Sequence, residues 1–134
     1  MLDRQAEQGG RVLVADDDAL GRRVIARLLG TRFRVMTASS GEHALGLLRV
    51  HGFDVLLTDQ HMLWMTGIEL LEQVRVHYPS VRRVLTSATC VPCVDAYVAI
   101  GLVDAVLYKP FDLATAAIAL AGPERSPWHA RSSR

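Results

Sequence analysis

Short apolar segments alternate along the chain with longer segments in which apolar residues recur at helical spacing. The short segments are typical of strands buried on both faces, and they lie at residues 12–15, 33–38, 54–58, 84–86 and 104–108. A helical pattern follows each one, as where Leu20, Val24 and Leu28 lie four residues apart. Because parallel strands need a crossover between them, five strand–helix units predict an α/β fold, a doubly wound parallel sheet with helices on both faces.

Polar residues precede four of the predicted helices in the positions typical of helix N-termini. A capping box pairs a Ser or Thr with a Glu three residues later, and each side chain binds the other's backbone N–H. Two such pairs occur in the chain. The predicted capping residues are Asp18, Ser39 with Glu42, Thr66 with Glu69, and Asp112.

The composition is that of one soluble globular domain. Half of the 134 residues are apolar and 22% are charged, which excludes wholesale disorder. The net charge of +1 gives no basic excess for nucleic acid or a membrane surface. No apolar run reaches the roughly 18 residues of a membrane span, and the polar N-terminus lacks a signal-peptide core. We therefore expect a cytoplasmic protein with a loose lead at 1–10, a folded domain at 11–121 and a disordered tail at 122–134.

Chemically active side chains follow four of the five predicted strands. Asp16 and Asp17 follow the first strand, Asp59 ends the third, Ser87 ends the fourth and Lys109 follows the fifth. Each alone is consistent with turn chemistry, but the carboxyl ends of parallel strands share one edge of the sheet. Crowded carboxylates repel one another unless a cation such as Mg²⁺ lies between them. A lysine and a hydroxyl beside them suit phosphoryl oxygens, so the residues predict a Mg²⁺-dependent phosphoryl site with an aspartate able to form an acyl phosphate.

These residues resemble the receiver domain of two-component response regulators over residues 11–121, nearly the whole folded part. The resemblance implies a flavodoxin-like fold with strand order 2-1-3-4-5. The resemblance lies in short motifs at the strand ends. Asp16-Asp17 match the family's acidic pair, and Asp59 matches its phospho-acceptor within residues 59–67 (DQHMLWMTG), which resemble Asp-x-x-Met-Pro-x-Met-x-Gly. Ser87-Ala88 match the family's Thr/Ser-Ala step, and Lys109-Pro110-Phe111 match its Lys-Pro-Phe motif.

The resemblance also implies how a metal ion is held. Mg²⁺ would be bound directly by Asp17 and Asp59 and by the backbone carbonyl of His61. Asp16 would act through a water molecule. No other cofactor is implied.

The function implied is that of a phosphorylation-controlled signalling module and not of an enzyme. Asp59 would accept a phosphoryl group from a sensor histidine kinase or a phosphotransfer protein, and Ser87 and Lys109 would hold its oxygens. The Ser87 contact would switch the face formed by the fourth helix, fifth strand and fifth helix. We expect a stand-alone receiver, because little chain follows residue 121. Its output would go to another protein or to a second copy, and neither nucleic acid nor a membrane would be a direct partner.

Two positions depart from the family's pattern. Leu63 stands where the family usually has Pro, which fixes φ and stiffens the loop. Val106 stands where it usually has an aromatic residue that swings inward on activation. Both departures mildly favour an alternative, a degenerate receiver that binds partners without phosphorylation. The five intact pocket residues oppose it.

Two further alternatives remain open on sequence alone. An aspartyl-phosphate hydrolase of the haloacid dehalogenase type would use Asp16-x-Asp18 after the first strand, but it usually carries a lid. A redox protein would use Cys90 and Cys93, which form a Cys-x-x-Cys at the predicted start of the fourth helix. That function would leave the aspartates and the lysine unexplained.

Overall fold

The computed structural model describes residues 10–122, in which five strands and five helices alternate. The strands are β1 (Arg11–Ala15), β2 (Arg34–Ala38), β3 (Val55–Asp59), β4 (Arg82–Ser87) and β5 (Ala105–Tyr108). The helices are α1 (Ala19–Gly30), α2 (Gly41–Val50), α3 (Gly67–His77), α4 (Val94–Ala99) and α5 (Leu113–Ala121). The predictions of a loose lead and a disordered tail fall almost wholly on residues 1–9 and 123–134, which lie outside the described residues.

The strands form one parallel sheet in the order β2-β1-β3-β4-β5, which confirms the predicted fold class. The register aligns the ends that carry the candidate site. Ala15 pairs with Thr58, Asp59 pairs with Thr86, and Ser87 pairs with Tyr108. Residues that follow β1, β3, β4 and β5 are therefore brought to one edge of the sheet.

Two layers of core lie on the two faces of the sheet. On one face, α1 and α5 pack through Ile25, Leu29 and Leu120 against alternate residues of the strands. On the other face, α2, α3 and α4 cover the remaining strand residues, with Leu48 and Leu71 among the buried side chains. Every residue of β3 is buried, because this central strand is covered on both faces. The rigid sheet fixes where the chain leaves each strand.

Helix capping follows the sequence prediction at three helices and departs from it at α2. Asp18 and Asp112 accept backbone N–H bonds at the starts of α1 and α5, and Thr66 forms its capping box with Glu69. The prediction of a capping box between Ser39 and Glu42 is wrong. Ser40 caps α2 instead, because the helix begins one residue later and brings the N–H of His43 to the Ser40 side chain.

Within residues 10–122, no helix has the length and apolar character needed to cross a membrane.

Candidate functional site

Three of the predicted side chains meet at the carboxyl edge of the sheet. The Lys109 ammonium nitrogen Nζ lies 3.0 Å from Oδ1 of Asp59 and 3.3 Å from Oδ2 of Asp16. Asp16 is 2% exposed and Asp59 is 8% exposed, so both carboxylates are almost withdrawn from bulk water. Since β3 lies between β1 and β4 in the sheet, Asp59 occupies the centre of this cluster.

The lysine is held in its charged form by the two carboxylates. Burial by itself would lower the pKa of Lys109, because it disfavours the charged ammonium group. The hydrogen bond and charge of Asp59, together with those of Asp16, outweigh burial, so the pKa of Lys109 lies above its ordinary value. The site therefore presents a fixed positive charge beside the candidate acceptor at neutral pH.

Asp16 is oriented by two contacts that the sequence did not reveal. Its Oδ1 accepts a 3.0 Å hydrogen bond from the backbone N–H of Asp18, and its backbone carbonyl accepts a 2.8 Å bond from Nη1 of Arg22. Arg22 lies on α1 and belongs to none of the motifs, so only its spacing of six residues from Asp16 could have pointed to it. It ties the start of α1 to the acidic loop.

Asp17 does not join the other two carboxylates in this structure. Its Oδ2 accepts a 2.8 Å hydrogen bond from the backbone N–H of Leu63 in the loop between β3 and α3. The next residue, Trp64, is 96% exposed, and its φ of 71° lies in the left-handed region. Leu63 is exposed as well. A proline at position 63 could not make this bond because proline has no N–H, so the departure at Leu63 changes how Asp17 is held.

Two hydroxyl groups lie at the end of β4. Thr86 Oγ1 is 3.4 Å from Asp59 Oδ1, while the fully buried Ser87 accepts a 3.1 Å bond at Oγ from the backbone N–H of Thr89. The sequence singled out Ser87, and the structure brings Thr86 to the carboxylate. Ser87 is only the acceptor in this bond, so its own O–H is still able to donate to another group.

The loops above Asp59 contribute one backbone donor and one side-chain contact. The backbone N–H of His61 donates a 3.1 Å hydrogen bond to Oδ2 of Asp59. The His61 ring nitrogen Nε2 lies 3.4 Å from Thr89 Oγ1. The two loops that follow β3 and β4 are thus in contact over the carboxylate.

The donor set fits a hard divalent cation. Two nearly buried carboxylates share one lysine, so the cluster keeps a net negative charge. Mg²⁺ needs only one or two carboxylates and completes its shell with water and carbonyl oxygens. In the part of the chain that the structure describes, no three or more His, Cys, Asp or Glu side chains are arranged as a metal site. Asp16 and Asp59 are brought together by Lys109, whereas Asp17 is hydrogen-bonded to Leu63.

An apolar groove that the sequence analysis missed opens beside the carboxylates. It has a volume of about 300 Å³ and is lined chiefly by Leu20, Val24, Leu28 and Phe111, and Lys109 is also part of its lining. Leu20 and Val24 are 67% and 57% exposed, because Ile25 and Leu29 are the residues of α1 that enter the core. The signal in the sequence was the apolar stripe of Leu20, Val24 and Leu28 on α1, which is separate from the residues that enter the core.

The chain belongs to the response regulator receiver domain family. The family's model matches residues 12–120, most of the chain. Receiver domains are signalling domains of two-component systems, and phosphorylation on an aspartate and Mg²⁺ binding are typical of the family. The recognition made from the strand-end motifs is confirmed.

Curated relatives contain the matched region within much longer chains. The hydrogenase transcriptional regulatory protein HoxA of Cupriavidus necator is 39% identical over 87 residues, which cover 65% of this chain and 17% of that protein. The transcriptional regulatory protein ZraR of Klebsiella oxytoca is 34% identical over 103 residues, 75% of this chain and 23% of that protein. The chain thus matches less than a quarter of the length of either relative.

Solved structures with the same fold are receiver domains. The signal receiver domain of an HD domain-containing protein from Pseudomonas fluorescens superposes with a TM-score of 0.75 at 25% identity, covering 82% of this chain and 90% of that one. The chemotaxis response regulator CheY4 of Vibrio cholerae superposes with a TM-score of 0.69 at 29% identity, covering 78% and 90%. These likenesses support the flavodoxin-like assignment.

Proposed function

We propose that this receiver accepts a phosphoryl group on Asp59 in a Mg²⁺-dependent reaction. Phosphorylation would then change the conformation of the face formed by α4, β5 and α5. The observation that carries the proposal is the contact of Asp59 with Lys109 at 3.0 Å, at the edge where Asp16 also lies. An aspartate in this setting is a nucleophile with a fixed cation beside it.

The proposed donor is a phosphohistidine on a sensor kinase or phosphotransfer protein. A carboxylate oxygen of Asp59 forms the new O–P bond as the P–N bond to histidine breaks, and the electron pair of that bond returns to the imidazole nitrogen. Lys109 then holds a phosphoryl oxygen. A bound Mg²⁺ would neutralise charge on the phosphoryl oxygens, held by Asp16, Asp17 and Asp59 with the His61 carbonyl. Because such kinases consume ATP, the proposal includes a cytoplasmic location.

The groove beside Lys109 supports docking of that donor. Lys109 both lines the groove and contacts Asp59, so a protein seated on Leu20, Val24 and Phe111 would lie next to the acceptor. Exposed apolar side chains at this position are typical of protein-binding surfaces. The donor would bury the stripe of α1 that the core leaves open.

The proposed switch begins at Ser87. Its hydroxyl now accepts a bond from the N–H of Thr89, and it would turn toward a phosphoryl group on Asp59. The loop between β4 and α4 would then be free to move. The six-residue α4 has no buried residue and packs on the core through the partly buried Val94 and Tyr97, so it is held less firmly than the other helices, which each bury residues. Phosphorylation would shift the balance between two positions of this segment.

The proposed output surface is the face that α4, β5 and α5 form, where a partner or a second copy would bind. It carries Val98, Ile100 and Tyr108, which are 42%, 59% and 46% exposed. Val106 is partly buried and packs against the same core as Tyr97, so the usual inward swing of an aromatic residue at position 106 has no counterpart here. The stand-alone organisation stays a prediction.

Fluorescence of Trp64 tests the proposal, because its neighbour Leu63 contacts Asp17. A Trp128→Phe background removes the other tryptophan, which lies outside the described residues. We expect a saturable change on adding Mg²⁺ and a second change on adding beryllofluoride, which mimics a phosphoryl group. The second change should be absent in Asp59→Asn. A beryllofluoride response that survives in Asp59→Asn would contradict the proposal.

A further inference from the structure

Two cysteines lie in the loop between β4 and α4, outside the phosphoryl site. Cys90 and Cys93 are both exposed free thiols. Val91 between them is 3% exposed and anchors the segment in the core. Cys90 follows Ser87 by three residues, so the pair occupies the same short loop as the hydroxyl that would bind the phosphoryl group.

Cys93 occupies a backbone position that favours glycine. The N–H of Val94 donates a 3.2 Å bond to the carbonyl of Val91, and Cys93 has φ 63° and ψ 17°. With the φ of Pro92 fixed by its ring, these values describe a type II turn, whose third residue is usually Gly or Asn. A cysteine here strains the backbone, and neither thiol is buried in the core. The fold therefore does not explain why this position carries a sulfur.

The surroundings of the pair favour redox chemistry over metal binding. A structural zinc site needs about four ligands. Among residues 10–122, no three or more His, Cys, Asp or Glu side chains are arranged to hold a metal ion. Two accessible thiols separated by two residues are instead suited to exchange with an external disulfide.

We propose that Cys90 and Cys93 form a reversible intramolecular disulfide by exchange with a small-molecule disulfide such as glutathione disulfide. One thiolate attacks the glutathione disulfide, forms a mixed disulfide and releases one glutathione. The second thiolate attacks the protein sulfur of that mixed disulfide and releases the second glutathione. The protein loses two hydrogens, and the two glutathiones gain them.

The disulfide would restrain the loop that the phosphoryl switch has to move. Thr89, whose N–H now binds Ser87, is next to Cys90. A covalent link from Cys90 to Cys93 joins that end of the loop to the start of α4 and removes conformations open to the reduced loop. Oxidation would therefore oppose the movement of Ser87 toward the acceptor.

Intact-mass measurement of the full chain tests the proposal. The reduced protein is incubated with glutathione disulfide, quenched in acid and alkylated, beside Cys90→Ser, Cys93→Ser and Asp59→Asn. We expect the unmodified sequence to lose both free thiols and two hydrogens without retaining glutathione. Each single-cysteine variant should retain one glutathione, because its mixed disulfide cannot be resolved.

Asp59→Asn separates this proposal from the function proposed above. It should form the disulfide as readily as the unmodified sequence, whatever the fate of phosphorylation. We also expect several-fold slower amide hydrogen exchange at residues 89–94 in the oxidised protein. Retained glutathione on the two-cysteine protein, no loss of thiols, or unchanged exchange in the oxidised loop would each overturn the proposal.

Discussion

The ammonium nitrogen of Lys109 lies 3.0 Å from Oδ1 of Asp59, although the two residues are fifty positions apart in the chain. The contact spans two strand ends, because Asp59 ends β3 and Lys109 follows β5. It supplies positive charge beside the carboxylate before any phosphoryl group arrives, so the site is organised in advance for charge that develops during transfer.

Removal of the lysine charge should destabilise the protein and increase its response to Mg²⁺. Lys109→Met leaves two nearly buried carboxylates without a cation. Breaking a buried pair costs about 3–5 kcal/mol, and partial exposure of the lysine side chain reduces the expected loss to about 1–2 kcal/mol. Urea unfolding with and without Mg²⁺ measures both effects. Equal stability and an equal Mg²⁺ response in the two proteins would show that the contact contributes little.

The contact between Lys109 and Asp59 should also make the stability of the protein depend on pH in the alkaline range. The pKa of Lys109 is raised above its ordinary value of 10.5 in the folded protein. Its contribution to stability is therefore complete below about pH 10.5 and is lost as the pH rises through the folded-state pKa. The difference in unfolding free energy between the unmodified sequence and Lys109→Met should stay constant at neutral pH and shrink above that value. A difference that grows with alkaline pH would have the wrong sign.

Restoring proline at position 63 should strengthen Mg²⁺ binding. The N–H of Leu63 holds Asp17 at 2.8 Å, and we expect an ion that recruits Asp17 to draw this carboxylate away from Leu63. Leu63→Pro removes the donor. A bond of about 1 kcal/mol corresponds to about fivefold in affinity.

Leu63→Ala is the matched control for that substitution, because it shortens the side chain and keeps the N–H. Calorimetric titration with Mg²⁺ should show tighter binding for Leu63→Pro and unchanged binding for Leu63→Ala. Weaker binding by Leu63→Pro, or the same gain in both variants, would rule out the N–H as the cause.

A substitution in the groove should slow phosphoryl transfer from a protein donor and leave transfer from a small donor such as acetyl phosphate unchanged. Leu20→Ser removes an exposed apolar contact on α1, so transfer from a phosphohistidine protein should slow about tenfold if one interface residue contributes about 1.4 kcal/mol. Labelling by acetyl phosphate should be unchanged, because Asp59 and its neighbours are intact.

Ile118→Ser is the control for the groove, since Ile118 is 74% exposed on α5 and does not line it. Rates of transfer from the protein donor and from acetyl phosphate give the comparison. Equal loss in both variants, or loss with acetyl phosphate as well, would argue against docking at Leu20.

The fold and the meeting of charged groups could be predicted because each depends on a simple rule. Alternating buried strands and helices specify a parallel sheet, and such a sheet gathers its carboxyl ends at one edge. Asp16, Asp59 and Lys109 each stand next to a strand end, so their proximity required no knowledge of loop conformation. The order of the strands came from the resemblance and not from the pattern itself.

The details that the sequence did not predict depend on loop geometry. The bond from Leu63 to Asp17 joins residues 46 positions apart and needs the particular course of the loop after β3. The shift of the α2 cap to Ser40 depends on where the helix begins by one residue. The helical spacing of Leu20, Val24 and Leu28 was visible in the sequence. Which apolar face of α1 enters the core depends on how the helix packs against the sheet.

The most direct test of the central claim is the mass of the protein after incubation with acetyl phosphate. The unmodified sequence, Asp59→Asn and Lys109→Met are compared with Mg²⁺ and with a chelator. The account predicts the added mass of one phosphoryl group, on Asp59, in the unmodified sequence with Mg²⁺, a much smaller fraction in Lys109→Met, and none in Asp59→Asn or with the chelator. A phosphoryl adduct of equal yield in Asp59→Asn, or no adduct at all in the folded protein with Mg²⁺, would contradict it.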